Sequence, residues 1–311
     1  MSSKLTTKIN NIILKNPITI ASGPFVNGEY LDTIHDLDIL GAITTKTVTY
    51  KPRKGNPSPR VAEIKDGYIN SVGLRNAGIK RFIEMKLPFV EEMNVPTFVS
   101  IAGESMEEYI EMVEMLNPIE FITAIELNIS CPNVHNKSIM FESDAEGIKI
   151  LLTKIKEVSK KPILVKISNN NADILKTARI CKEVGVDAIV LLNSPAGMRL
   201  DLHTGQSVLT RQYGGMSGKP LKHIALKIVN EISHEVDIPI IGVGGIFNND
   251  DAIEMLLAGA CAVGIGSAIM YDPLAAYKMA INFEKDLKRY NFESVEQLVE
   301  SVRKTRNWNN K

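Results

Sequence analysis

The sequence has few cysteines, no long apolar run and no excess of charge of either sign. Its three cysteines, at positions 131, 181 and 261, form no C-x-x-C pair, so no disulfide framework, iron–sulfur site or zinc site is predicted. No apolar run approaches the roughly 18 residues of a membrane-spanning helix. Lys plus Arg and Asp plus Glu number 36 each. This balance gives no electrostatic argument for binding nucleic acid or an anionic membrane, so we expect a small ligand.

The composition is that of a globular protein in a reducing compartment. Hydrophobic residues make up 44% of the 311 residues and charged residues 23%, enough to bury a large core without cross-links. The first 16 residues contain only Ile12 to Leu14 as an apolar run, which is too short for a secretory signal. We therefore expect a cytoplasmic location.

Eight short runs rich in β-branched and apolar residues alternate with helical patterns. Nearly continuous apolar runs are typical of parallel strands buried on both faces. Eight such strands fit a single (β/α)8 TIM barrel, which we expect to occupy residues 1–311 as one domain. The runs are Pro17 to Gly23, Gly41 to Thr49, Pro96 to Gly103, Phe121 to Ser130, Pro162 to Ser168, Ala188 to Ser194, Ile238 to Gly245 and Ala262 to Ile269.

The connections between these runs are uneven in length. Those after the second, fourth and sixth strands are much longer than the others, and βα loops rise at the C-terminal face where barrel enzymes build their sites. The second-strand insertion, Tyr50 to Lys80, and the sixth, Pro195 to Gly218, are rich in turn-forming residues and are interpreted as lids. Lys4 to Asn16 predicts a small β hairpin at the barrel floor. Asn248 to Asp250 predicts a helix start, and Gly259 its end.

Polar groups stand where the predicted strands end. Buried lysines and carboxamides are costly without partners, so their convergence on one rim indicates a ligand. Lys46 and Lys166 each follow apolar strand residues. Strand seven ends at Gly244-Gly245 and strand eight at Gly266-Ser267. These are the positions where barrels bind phosphate through backbone N–H groups. A flat, phosphorylated ligand is indicated, and a cation beside a flavin ring would stabilise its reduced form.

Cys131 lies between polar, loop-forming residues, in Asn128-Ile-Ser-Cys-Pro-Asn133. A thiol where the chain leaves the barrel is accessible and able to ionise, so it can act as a base or a nucleophile. Cys181 and Cys261 are interpreted as core residues. The five histidines are scattered without a motif, which disfavours a Cys-His hydrolase.

Several segments together resemble one family, the class 1 dihydroorotate dehydrogenases. The resemblance covers Asn16 to about Pro273. It rests on Ala21 to Gly23, Thr44 to Thr49, Gly55 to Arg60, Asn70 to Gly78, Asn128 to Asn133 and Gly214 to Gly218. The resemblance implies a (β/α)8 barrel that holds FMN above its strands and oxidises dihydroorotate to orotate in pyrimidine synthesis.

The resemblance also implies roles for single residues. Cys131 would be the catalytic base that removes the C5 proton while the C6 hydride passes to FMN. The substrate would be bound by Lys46, Asn70, Ser71, Val72, Gly73, Leu74, Asn128, Asn133, Asn193 and Ser194. FMN would be bound by Ser22, Lys46, Thr47, Ser100, Asn128, Lys166, Leu192, Gly218, Gly244, Gly245, Gly266 and Ser267. No metal site is implied.

Within class 1, the segment after Cys131 is more similar to the NAD-linked type 1B than to the fumarate-using type 1A. Residues 133–141 lack the Gly-Lys-Pro continuation of type 1A. Type 1B implies a homodimeric core in a heterotetramer with a partner subunit that carries FAD and a [2Fe–2S] cluster. Two departures are Ser100, where that type usually has an FMN-contacting Asn, and Asn193-Ser194, where Asn-Thr is more usual.

Other functions remain open on the sequence alone. Within the same chemistry, the chain fits an enzyme using fumarate or another acceptor, or a related dihydropyrimidine oxidoreductase. A flavin barrel acting on RNA, such as a tRNA dihydrouridine synthase, is disfavoured by the neutral charge and by Ser130 rather than Gly before Cys131. A ligand-binding barrel without catalysis is disfavoured because the base and the rim lysines are all present.

Overall fold

The computed structural model describes residues 3–24, 37–129, 145–168, 170 and 173–304. The strands are β1 Thr7–Ile9, β2 Ile12–Leu14, β3 Ile18–Ile20, β4 Ala42–Thr44, β5 Val48–Thr49, β6 Val61–Ile64, β7 Gly67–Asn70, β8 Thr97–Ala102, β9 Ile122–Asn128, β10 Ile163–Ile167, β11 Ala188–Leu191, β12 Ala196–Gly197, β13 Gly214–Gly218, β14 Ile240–Val243 and β15 Ala262–Ile265. The α-helices are α1 Ile79–Met85, α2 Leu87–Glu92, α3 Met106–Leu116, α4 Ala145–Val158, α5 Ile174–Val184, α6 Lys222–Glu235, α7 Asn249–Ala258, α8 Ala268–Tyr271, α9 Ala275–Arg289 and α10 Val295–Lys304.

Eight parallel strands close into a barrel. The order is β3, β4, β8, β9, β10, β11, β14 and β15, and β15 pairs with β3 to complete the circle. All eight lie within the predicted runs, so the predicted TIM barrel is confirmed. The second run is divided into β4 and β5, which both pair with β8. The eighth run ends as a strand at Ile265, and its last residues begin α8.

Apolar side chains on the two faces of each strand form separate cores. Ile18 and Ile20 pack outward among the helices, in the cluster that also contains the buried faces of α3, α4 and α9. The alternate positions point into the barrel, where Phe98 and Leu164 pack with Ala124. Strand side chains alternate between faces, so one run of β-branched residues fills both layers.

The predicted N-terminal hairpin is confirmed as β1 and β2, paired antiparallel. Its buried side chains Ile9 and Leu14 belong to the same cluster as the lower barrel interior. The Thr7 hydroxyl donates a hydrogen bond to the Cys261 carbonyl at 2.6 Å. The hairpin therefore covers the barrel floor and leaves the opposite end for ligands.

Helix α7 shows how local sequence sets a boundary. The Asn248 side chain accepts a hydrogen bond from the Asp251 backbone N–H, and Gly259 ends the helix at a φ of 120°. An Asn cap satisfies a free N–H, and glycine adopts positive φ without a Cβ clash. Both predicted boundaries of this helix are confirmed.

The long loops after the second and sixth strands meet in one four-stranded antiparallel sheet, ordered β12, β13, β7 and β6. We call it the lid sheet. Its two central strands, β7 and β13, end at the pairing of Gly218 with Gly67, where a Cβ at position 218 would lie 2.3 Å from the Gly67 Cα. The loop after the fourth strand joins Asn128 to Ala145, and residues 130–144 of it lie outside the described part of the chain.

No helix in the part of the chain that the structure describes is long and apolar enough to cross a membrane.

Candidate active site

A cavity of about 810 Å³ lies between the C-terminal ends of the barrel strands and the lid sheet. The strand ends supply its floor, and residues of β7 and β13 form part of its wall. This is the face at which barrel enzymes place their chemistry. The volume is near the upper end of the range for small-molecule sites, enough for a ligand with several rings.

Most residues predicted from the sequence line this cavity. They are Ser22, Lys46, Thr47, Asn70, Ser71, Val72, Gly73, Leu74, Asn128, Lys166, Leu192, Asn193, Ser194, Gly218, Gly244, Gly245, Gly266 and Ser267. Cys131 and Asn133 lie outside the described residues. Ser100 is fully buried beneath the floor and is not part of the lining. The tertiary fold therefore brings together, at a single mouth, residues that are spread along the chain from Ser22 to Ser267.

A hydrogen-bond network holds the polar floor together, with Thr47 at its centre. The Thr47 hydroxyl lies 3.2 Å from the Ser22 hydroxyl and 2.9 Å from that of Ser100, and it accepts a bond from the Asn128 amide at 3.3 Å. Asn128 Oδ1 accepts a bond from Asn193 Nδ2, also at 3.3 Å. These bonds fix the orientation of two carboxamides side by side, as needed to bind a planar amide-containing ring.

Ser100 acts in this network from below. Its hydroxyl contacts Thr47, and its backbone N–H donates to the Thr45 hydroxyl at 3.2 Å. The sequence resemblance implied a cofactor-binding role for Ser100. It is buried behind Thr47 and does not line the described cavity.

Three of the described lining residues are charged, Lys46, Lys166 and Arg211, and all three are cations. No described lining residue is acidic. Burial lowers the pKa of Lys46, and the nearby Arg75 guanidinium lowers it further. Positive charges are concentrated here, and the protonated form of Lys46 is disfavoured by burial and by Arg75. A bound anion would stabilise these cations, so the site favours an anionic ligand.

Several glycines on the wall line the cavity with backbone that carries no side chain. Gly244 and Gly245 have φ values of 133° and 69° and line the cavity. A Cβ on Gly245 would lie 2.4 Å from the Lys222 backbone nitrogen, so a larger residue cannot occupy that turn. A Cβ on Gly266 would meet nothing within 4 Å. It would project into open space at the cavity, where a ligand phosphate could approach bare backbone.

The two lids are joined at the cavity mouth. Asn56 donates hydrogen bonds to the Ser71 carbonyl and hydroxyl, both at 2.9 Å. Arg211 Nε donates to Asn56 Oδ1 at 3.4 Å. Asn70 Nδ2 donates to the Gly215 carbonyl at 3.2 Å. The mouth is therefore built from two insertions about 150 residues apart in the chain, as the separation of Asn56 and Arg211 shows.

Sequence reasoning missed several lining residues, among them Asn56, Tyr68 and Arg211. Asn56 was quoted within a motif but given no role. Tyr68 is buried, and its ring centroid lies 5.1 Å from that of Tyr271. Arg211 stands in a polar loop with no local pattern. Only the adjacent Gly214-Gly215 signalled that this loop returns to the site.

The other two cysteines are structural. Cys181 is buried, and burial raises the pKa of its thiol to about 12. Cys261 is buried at the barrel floor, where its thiol lies 3.3 Å from the Ile240 carbonyl. Neither lines the cavity. In the described residues no three His, Cys, Asp or Glu side chains are grouped as metal ligands.

The chain is similar to known proteins of one family over nearly its whole length. The model of the family described as "Dihydroorotate dehydrogenase" matches residues 4–288. A protein of Bacillus pumilus (strain SAFR-032) named "Dihydroorotate dehydrogenase B (NAD(+)), catalytic subunit" is 40% identical over 295 residues, 95% of this chain and 95% of its own. Proteins of the same name from Geobacter sp. (strain M21) and Citrifermentans bemidjiense are each 39% identical, over 95% of this chain and 97% of their own. On this evidence the chain belongs to the dihydroorotate dehydrogenase family.

Proposed function

We propose that this protein binds FMN and oxidises (S)-dihydroorotate to orotate in pyrimidine synthesis, and that a partner subunit passes the electrons to NAD. The observation that carries the proposal is the cavity itself. It gathers 18 of the residues implied by the family resemblance, and its charged described residues are all cations. The names of the relatives support both the substrate and the NAD-linked type.

Charge balance supports these ligands. A phosphate monoester carries about −1.5 to −2 charges at neutral pH, and the orotate carboxylate adds one more. Lys46, Lys166 and Arg211 supply three positive charges. Complementary charge in a partly desolvated site gives specificity for anions and penalises neutral analogues.

The residues of the cavity fit FMN. The backbone of Gly244, Gly245 and Gly266, which lines the cavity, would hold the phosphate together with the Ser267 hydroxyl. Thr47, Asn128 and Lys166 would contact the ring. Bound FMN would supply the acceptor for the hydride that leaves C6. Lys166 would hold positive charge beside the ring, where reduction adds negative charge.

The same floor fits a pyrimidine. The side-chain amides of Asn128 and Asn193 are hydrogen-bonded to each other, which fixes their orientation. They would therefore present fixed donors and acceptors to the amides of the pyrimidine ring. Lys46 would bind the carboxylate, and Asn70 to Leu74 would close over the substrate from the lid side. Cys131 would remove the C5 proton, so that the C5–C6 double bond forms as the hydride departs. Asn133 would assist in orienting the substrate.

Anaerobic mixing tests the cofactor and the substrate together. We expect the purified chain to carry one FMN and its visible absorbance to bleach when dihydroorotate is added without oxygen. NAD should be reduced only after a subunit carrying FAD and a [2Fe–2S] cluster is added. Rapid NAD reduction by the chain alone would refute the partner, and fumarate-dependent turnover would favour the type 1A alternative. Bleaching by a tRNA-bound dihydrouridine instead of dihydroorotate would refute the substrate.

Arg211 provides a test of anion recognition at the mouth. We expect Arg211→Gln to weaken orotate binding by about 10-fold, because it removes a charged donor worth about 1.5 kcal/mol, with little change in affinity for uracil. Orotate and uracil dissociation constants would be measured from the absorbance change of bound FMN.

Arg199→Gln is the matched control for that variant. Arg199 lies in the same loop and also joins the two lids, by donating to the Glu63 carbonyl, but it does not line the cavity. Its replacement should change orotate affinity less than twofold. Equal losses in the two variants would mean that Arg211 acts by holding the lids together.

A further inference from the structure

Glu126 places a carboxylate inside the barrel, beneath the cavity floor. Glu126 and Lys166 are the two charged residues among the barrel strands β3, β4, β8, β9, β10, β11, β14 and β15. Glu126 is 2% exposed. It lies two residues along β9 from Ala124, in the inner core cluster, and two residues from Asn128, on the cavity floor. Side chains two apart share one face of a strand, so Glu126 points inward between those two levels.

The cross-strand neighbours of Glu126 leave one of its carboxylate oxygens unsatisfied. Its Oε1 atom is buried and makes no hydrogen bond. Across the sheet it is opposite Ser100 on β8 and Leu164 on β10. The Ser100 hydroxyl is engaged with Thr47 at 2.9 Å, and Leu164 has no donor. A buried carboxylate in such surroundings is costly unless a cation compensates it.

Lys166 is the cation that strand register brings nearest. It is opposite Asn128, so it stands two positions beyond the residue opposite Glu126. Strand spacing and rise then separate the two Cα atoms by about 8 Å, so the two charges act on each other through the barrel interior, without a hydrogen bond from Lys166 to Glu126 Oε1. Lys166 is 6% exposed and lines the cavity floor.

We propose that Glu126 is the counter-charge of Lys166 and a positioning residue for the reaction. It stabilises the ammonium group at the floor and reduces the net positive charge that the floor presents to a ligand. The effect on FMN rests on the proposed function, whereas the pairing of the two charges does not. Glu126 does not line the cavity and acts through Lys166.

The pairing has a signature in unfolding experiments on the flavin-free protein. Removing one member of a buried ion pair leaves the other uncompensated, whereas removing both does not. We expect Lys166→Met to lower Tm by roughly 5–10 °C. Adding Glu126→Gln to that variant should restore at least half of the loss. An additive or larger loss in the double variant would overturn the proposal.

An exposed pair of the same kind is the control. Lys149 and Glu183 form an ion pair at 2.5 Å between α4 and α5, with side chains 41% and 59% exposed. Exposed pairs couple weakly, so Lys149→Met and Glu183→Gln should change Tm additively. If a single variant of the buried pair gives no folded protein, the double variant still decides. The proposal expects it to fold, and failure of the double variant would overturn it.

The second measurement is the midpoint potential of bound FMN. Removing the negative charge below the floor should favour the reduced form, so Glu126→Gln should shift the equilibrium with a reference dye at least threefold toward reduced flavin. That is about 14 mV for a two-electron couple. The same substitution in the Lys166→Met background should shift it less than half as much.

The two measurements separate the possible failures. An unchanged potential in Glu126→Gln, or an equal shift in both backgrounds, would refute action through Lys166. A wild-type protein that binds no FMN would refute the proposed function, and the unfolding cycle would then decide the pairing alone.

Discussion

Replacing Cys131 with serine should slow flavin reduction by dihydroorotate about 100- to 10,000-fold at neutral pH, the range for loss of a general base. The cysteine thiol has a reference pKa of about 8.5 and forms a basic thiolate near neutral pH. A serine hydroxyl stays protonated there and is a much weaker base. FMN should remain bound, because the glycine-lined wall and Lys166 are unchanged. Stopped-flow absorbance after anaerobic mixing measures the rate, and the absorbance spectrum before mixing measures FMN content.

The pH dependence gives the sign of this effect. A base acts only when deprotonated, so the wild-type rate should rise with pH up to the pKa of the Cys131 thiol and then level off. In Cys131→Ser the rise should be displaced to much higher pH. A variant that keeps the wild-type rate and profile would show that another group takes the C5 proton.

Cys261→Ser is a suitable control for the cysteine substitution. Cys261 lies at the barrel floor, and its thiol lies 3.3 Å from the Ile240 carbonyl. A serine hydroxyl can donate to the same oxygen, so the substitution should be tolerated locally. Flavin reduction in this variant should stay within twofold of wild type. A large loss would mean that serine substitutions disturb the barrel in general.

Lys166→Met should weaken FMN binding or slow flavin reduction by about 10- to 100-fold. The substitution keeps an unbranched side chain, one heavy atom shorter, and removes its charge at the cavity floor. A hydrogen bond to a charged group contributes about 1.5–3 kcal/mol, and the loss should appear mainly where the flavin gains negative charge. FMN affinity would be measured by titrating the flavin-free protein, and reduction by stopped flow, both well below Tm.

Lys161→Met is the control for Lys166→Met. Lys161 precedes the same strand at its other end, where its ammonium group donates to the Ile122 carbonyl at 3.0 Å. It does not line the cavity, so its loss should leave FMN affinity within twofold. The Glu126→Gln/Lys166→Met variant, in which both charges are absent, separates loss of the floor cation from loss of stability. Full FMN retention and normal reduction in Lys166→Met would contradict the role given to that lysine.

The sequence predicted the barrel well, and its errors have physical causes. The second run is interrupted between Thr44 and Val48, where Lys46 and Thr47 line the cavity. An apolar run cannot by itself reveal that break. The eighth run continued too far because Ala268 and Ile269 are apolar in α8 as they would be in a strand. The length and hydrophobicity of a short apolar run do not distinguish a strand from the first turn of a helix.

The lid sheet was beyond sequence reasoning. Its strands β7 and β13 pair through main-chain bonds between residues about 150 positions apart, as in Asn70 with Gly215. Strand β13 reads Gly-Gly-Met-Ser-Gly, which has no alternation and little β propensity. The position of Arg211 at the mouth depends on that pairing, and so it was also missed.

The sequence by itself determined the order of the barrel strands, the polar residues at their ends and the family. It did so because parallel strands in a barrel share one C-terminal face, so residues that end separate strands must meet. The tertiary structure decided how the lids join, that Ser100 lies behind Thr47, and that Glu126 is buried below Lys166. Those features depend on which side chains face each other across strands and loops, and local sequence patterns do not encode such long-range contacts.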